Sequence, residues 1–184
     1  MTDDAQTAGA PPEPAHPALP RVTFTEGSIT LPAGYEDRTS NVFVPGNTQT
    51  QANLSVARDW MKPEETLAAY VDRQLSLLKS QLAGHRLIAR EPASLGAPSQ
   101  PDSVVIQGVR VDAHYKNGKL TIYQRQAAFE TAPRRVLVFT ASKANSFGEA
   151  FEQQWSTWLA SYETPPSTSA QKQSVDGQPS TGEN

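Results

Sequence analysis

Residues able to do chemistry are few in this chain, and their spacing suits catalysis poorly. Its three histidines are His16, His85 and His114. His114 follows Asp112 by two residues, on what reads as one face of a strand, because side chains two apart along a strand point the same way. Such a pair could hold a general base and its orienting partner. However, no serine sits in a nucleophile elbow, no third ligand completes a metal set, and no glycine-rich loop is placed to cradle phosphate. A surface ion pair is the reading that the sequence favours for Asp112 and His114, and Asp59-Trp60 reads as a strand exit. There is no cysteine, which removes disulfides, thiolate metal sites and a thiol nucleophile together. No cofactor, metal or catalytic residue is implied.

A different polar pattern stands in Leu120-Thr-Ile-Tyr-Gln-Arg-Gln126. Alternation puts Leu120, Ile122, Gln124 and Gln126 on one face, with Tyr123 and Arg125 on the other. Amides among apolar groups can bond a partner's polar atoms without the desolvation cost of a charge. An internally bonded or solvated pair explains them equally well.

The strands that would carry these residues are apolar on both faces. Val42 and Val44 oppose Phe43, Val136 and Val138 oppose Leu137 and Phe139, and Val104 and Ile106 oppose Val105, Val109 and Val111. An antiparallel sheet open to water normally keeps one polar face, so the second apolar face requires a cover.

At 184 residues the chain suits one domain with a real core. Its net charge is -3, and Asp3, Asp4, Glu13, Asp176 and Glu183 near the ends more than account for it. The near-neutral middle gives no support to nucleic-acid binding or to polybasic attachment to membranes. The acidic start, Met-Thr-Asp-Asp, is unlike a signal peptide, and no run approaches the roughly 20 apolar residues of a membrane span. The expectation is a soluble, cytoplasmic protein that is not membrane-embedded.

Residues 1–20 form a Pro- and Ala-rich leader and residues 164–184 a polar tail, both expected to be disordered. Residues 21–163 read as one α+β domain: a curved antiparallel sheet with two main helices packed on one face. The first helix is expected to begin at Pro63-Glu-Glu65, to carry the stripe Leu67, Val71, Leu75, Leu78, Leu82, and to stop at Gly84. The second is expected from Ser146, with Glu149 completing a capping box, and carries Phe147, Phe151, Trp155, Trp158 and Tyr162. Between the helices, a weak strand near Arg86–Arg90 precedes a Pro-rich loop to Asp102 and a three-stranded meander. Asn117-Gly118 marks the first hairpin of that meander.

The segments Glu26-Gly-Ser-Ile-Thr-Leu-Pro32, Asp37-Arg-Thr-Ser-Asn-Val-Phe-Val-Pro45, Asn53-Leu-Ser-Val-Ala-Arg-Asp59, Tyr70-Val-Asp-Arg-Gln-Leu75 and Ile122-Tyr-Gln-Arg-Gln126, with the aromatic last helix, resemble in order and spacing the Eag family of type VI secretion chaperones, a branch of the PsbP-like fold. The resemblance spans about Val22 to Tyr162. It implies a cytoplasmic homodimer that shields the N-terminal transmembrane helices of a secreted effector bearing a PAAR or Rhs region. By that pattern the groove falls on Val42, Val44, Leu54 and Val56, with Ile122, Gln124 and Gln126 as further lining; the alternative face is Phe43 with Ser55 and Ala57. A non-catalytic PsbP-like assembly module, whose second apolar face is a permanent dimer interface, is the competing expectation. An enzyme using Asp112 and His114 is a weaker third.

Overall fold

A computed structural model describes residues 21–98 and 104–164. The leader, and the tail beyond Thr164, lie outside the described residues. The chain divides into two compact units between Asp37 and Arg38. In the first, β1 (Arg21–Phe24) and β2 (Gly27–Thr30) form the expected antiparallel hairpin, with Val22 opposite Ile29.

The second unit contains β3 (Ser40–Phe43), β4 (Asn53–Trp60), α1 (Leu67–Gln81), β5 (Arg86–Leu95), β6 (Ile106–Asn117), β7 (Leu120–Ala132), β8 (Arg135–Lys143) and α2 (Glu149–Ala160). Its strands make one curved six-stranded sheet in the order β3-β4-β8-β7-β6-β5, with every neighbouring pair antiparallel. The sheet does not close into a barrel, so β3 and β5 are its edges. The α+β class with an antiparallel sheet is as expected from the sequence.

The placement of the helices is not. Ala127 and Ala128 are neighbours on β7 and so face opposite ways. Ala127 packs with Phe129, Phe139, Phe151, Trp155 and Leu159, while Ala128 packs with Tyr70, Val71, Val111 and Val136. α2 therefore covers one face and α1 the other, correcting the expectation that both lie on one face. Strands apolar on both sides call for a cover on each, and the two amphipathic helices supply one apiece.

Helix and turn starts also differ. Pro63 and Glu64 form a turn, with Glu64 at φ 62°, and Thr66 caps α1 by accepting from the Ala69 amide at 3.2 Å. A threonine N-cap thus displaces proline as the start signal. Glu65 instead braces the turn, accepting from the Lys62 amide and, on both oxygens, from Arg73 at 2.7 and 2.8 Å. The Arg73 hydrogen bonds, with the Lys62 amide, hold its carboxyl down at about 2.

The capping box of α2 does not form. Gly148 is the N-cap, without a side-chain cap bond, and Phe147 stacks on Phe151 at 4.2 Å, so aromatic packing fixes the chain's entry. In the meander, Asn117 pairs with Leu120, leaving Gly118–Lys119 as the turn. Gly118 takes the positive φ of 59°, the glycine-first arrangement of a type II′ hairpin. β5 continues through Pro92 to Leu95 rather than ending at Arg90, which an edge strand tolerates because proline's missing donor can face away from the sheet.

Candidate functional site

The strand registers assemble side chains into rows across the α1 face. One row runs Val42, Ser55, Thr140, Gln126, Val111. The next, further from α1's main contacts, runs Asn53, Ser142, Gln124, Ala113, Leu87. On the other side lies Ala57, Val138, Ala128, Val109. α1 packs over the last of these rows with Val71, Leu67 and Leu75. The first two rows continue past it toward β3, where Val42 and Val44 are 64% and 67% exposed.

Of the residues expected to line a groove, Val42, Ile122, Gln124 and Gln126 have the parity of this face, and Val44 follows the end of β3. Leu54 and Val56 do not. Leu54 stands opposite Ala141 and Val56 opposite Phe139, and both pack into the α2 cluster. The physical reason is the β3–β4 register, which sets Val42 against Ser55 and Phe43 against Leu54. The same register separates Phe43 from Ser55 and Ala57, so the alternative grouping is not assembled either. Sequence reasoning placed Ser55 with Phe43 on the alternative face, and it overlooked Thr140 and Ser142. Their signal was a hydroxyl recurring between apolar strand residues, meaningful only once the register is known.

This face carries little charge. Gln124 Nε2 donates to Ser142 Oγ at a long 3.4 Å. At its α1 end, Asp59 is fully engaged: Oδ2 accepts from Tyr70 Oη at 2.9 Å and Gln74 Nε2 at 3.0 Å, and Oδ1 from the Trp60 amide and Arg38. Asp59 is therefore a tie between α1 and the sheet as well as a strand exit. Burial, then the charge and hydrogen bond of Asp59, push the Tyr70 hydroxyl well above the ordinary tyrosine value. Between α1 and the sheet lies a cavity of about 250 Å³, whose lining includes Leu75, Leu78, Val138, Gln126 and Thr140.

The opposite face is closed. Phe129, Leu95 and Ala141 are fully buried, and the Cβ that an alanine would add at Gly108 would fall 2.3 Å from Phe129 Cδ1 and 2.4 Å from the Ala128 carbonyl oxygen. Arg125, only 4% exposed, grips Asp112 through two bonds of 2.7 and 2.9 Å and Glu152 of α2 at 2.6 Å. Its guanidinium also lies 5.4 Å from the Phe147 ring and 5.9 Å from that of Trp155. Burial opposes its charge, but the hydrogen bonds it donates to Asp112 and Glu152 prevail and hold its pKa above the usual arginine value. The same bond to Arg125 lowers Glu152.

Asp112 is thus committed to Arg125, and neither the base-and-partner geometry nor a surface ion pair with His114 is formed. His114 lies against Tyr123, ring centroids 5.8 Å apart. His114 Nδ1 and His85 Nε2 are buried without hydrogen-bond partners. Burial, reinforced by His114 and Lys79, lowers the pKa of His85. Among the described residues there is no group of three or more His, Cys, Asp or Glu side chains able to hold a metal ion, and no helix long and apolar enough to cross a membrane.

A family model described as DcrB matches residues 26–161. The fold is similar to the crystal structure of a Pseudomonas aeruginosa protein of unknown function and suggested regulator, with a TM-score of 0.63 and 20% identity, covering 80% of this chain and 98% of that one. No curated protein matches the sequence.

Proposed function

The chain belongs to the DcrB family, and we propose that within it this protein acts as an Eag-type chaperone of type VI secretion. In this reading it is a cytoplasmic, non-catalytic homodimer that shields the N-terminal transmembrane helices of an effector carrying a PAAR or Rhs region until export.

The observation that carries the reading is the row Val42, Ser55, Thr140, Gln126, an uncharged strip with an exposed apolar end beside α1. Shielding a 20-residue apolar helix from water involves on the order of tens of kcal/mol of transfer free energy at about 25 cal/mol per Å², which calls for a broad face rather than a small pocket. Small hydroxyl side chains let a helix backbone approach closely, and Gln124 and Gln126 can bond polar atoms that an apolar helix exposes.

The test is co-expression with the product of an adjacent effector gene. A stable complex that requires the effector's N-terminal apolar segment supports the reading; a complex that survives deletion of that segment refutes it.

A second reading is favoured by one observation. β3 is an edge strand whose Val42 and Phe43, on opposite faces, are both largely exposed, the surface that a permanent dimer interface would bury. In that case, light scattering would show a dimer of undiminished stability whose Val42→Asp variant dissociates, and no effector segment would be captured.

A further inference from the structure

We propose that the cavity between α1 and the sheet is an anchor pocket for one large apolar side chain of the docked helix, an inference that rests on the chaperone reading of this face. Gln126 and Thr140 belong both to the cavity lining and to the row that runs out to Val42. A helix lying along that row therefore passes beside the cavity and can send a side chain into it.

Size and charge specify the guest. At about 250 Å³ the cavity is smaller than the roughly 300–1,000 Å³ of sites that enclose whole small molecules, and it has room for a single large side chain. Ala57 and Ala128 leave the room on the sheet side, while Leu75 and Leu78 form the wall on α1. Asp59, the carboxylate in the lining, has both oxygens occupied by Tyr70, Gln74, Arg38 and the Trp60 amide, so it offers nothing to a cation. Arg58, the cation in the lining, donates to Thr39 Oγ1 and Asn41 Oδ1. An aliphatic or aromatic side chain satisfies this lining; a charged one would have to displace these bonds to find a partner. The pocket would fix the register of the docked helix, as a buried central anchor does at other interfaces.

The test uses the full chain and two Lys-flanked 20-residue helical peptides, one with a leucine core and one with an alanine core, with binding read by fluorescence anisotropy. Ala57→Trp and Ala57→Phe each place an aromatic ring in the cavity from the sheet; whichever retains the wild-type circular dichroism spectrum serves as the filled variant. The filled variant is expected to bind the leucine-core peptide at least tenfold more weakly than the wild type does. On the alanine-core peptide, which has no side chain to insert, the two proteins should agree within twofold. Leucine-core binding unchanged within twofold in the filled variant would overturn the pocket and leave the reading of the face standing. A wild-type protein that does not bind the leucine-core peptide would overturn that reading and the pocket with it.

Discussion

Under α2, Phe129, Leu95 and Ala141 have no exposed surface, and Arg125 is pinned from two sides by Asp112 and Glu152. One residue along the same strands, on the α1 face, Thr140 and Gln126 sit half-buried in a row that ends at the exposed Val42. The closed face spends its polar groups on itself, in an ion network whose Arg125 is buried among Phe147, Phe151 and Trp155 and whose Glu152 is half-exposed. The half-open face carries amides and hydroxyls, and its one inward carboxylate, Asp59, is used to moor α1. The contrast separates residues that hold the fold from residues left for a partner, although the two sets alternate along each strand.

Substitutions on the closed face should do the most damage. Gly108→Ala drives a methyl group into the edge of the Phe129 ring and against the Ala128 carbonyl, and rigid backbone cannot yield as a flexible side chain would. The expected outcome is loss of the cooperative unfolding transition by circular dichroism. Arg125→Ala strips Asp112 of its two short hydrogen bonds in a mostly buried site, leaving it Arg110 at 3.5 Å, and should cost about 3 kcal/mol in urea unfolding, the low end for breaking a buried pair. A loss under 1 kcal/mol would mean that the network under α2 does not secure that face.

A smaller effect is expected where α1 ends. In the folded protein the pKa of His85 lies below its usual 6.5, because burial, His114 and Lys79 all disfavour its cation. Unfolding then takes up a proton, so this group's contribution is complete above about pH 6.5 and is lost as the pH falls below it. Thermal melts from pH 7.5 to 5 should show a decline that His85→Gln flattens; an unchanged slope in the variant would contradict it.

The smallest effect on stability belongs to the open face. Val42→Asp with Val44→Asp alters exposed side chains and should leave stability within about 0.5 kcal/mol for each, while abolishing capture of an apolar helix. Unfolding of this double variant would make those valines core and erase the difference between the faces.

Much of this molecule was legible in the sequence. Apolar alternation located the strands, and the Leu67 to Leu82 stripe located α1, because burial imposes those periods directly. The pairing of faces was not legible, since it depends on one number that no single strand contains, the β3–β4 register. That register moved Leu54 and Val56 into the core and brought Ser55 onto the open face. The side chosen by each helix was hidden for a similar reason: stripes show that a helix packs, whereas the choice between two apolar faces is made by tertiary fit, here Arg125 reaching Glu152 on one side and Asp59 reaching Tyr70 on the other. Asp112 and His114 misled because their partners come from other strands and from α2.

The absence of native cysteine makes the central claim directly measurable. Single variants Ser55→Cys and Thr140→Cys report on the half-open face, and Glu91→Cys, whose position pairs with Arg110, reports on the opposite one. Maleimide labelling of the full chain, with and without the leucine-core peptide, should show Cys introduced at 55 and 140 protected by the peptide and at 91 unaffected. Equal reactivity at 55 and 140 in both conditions, or protection at 91 instead, would contradict the assignment of the α1 face as the seat of a foreign apolar helix.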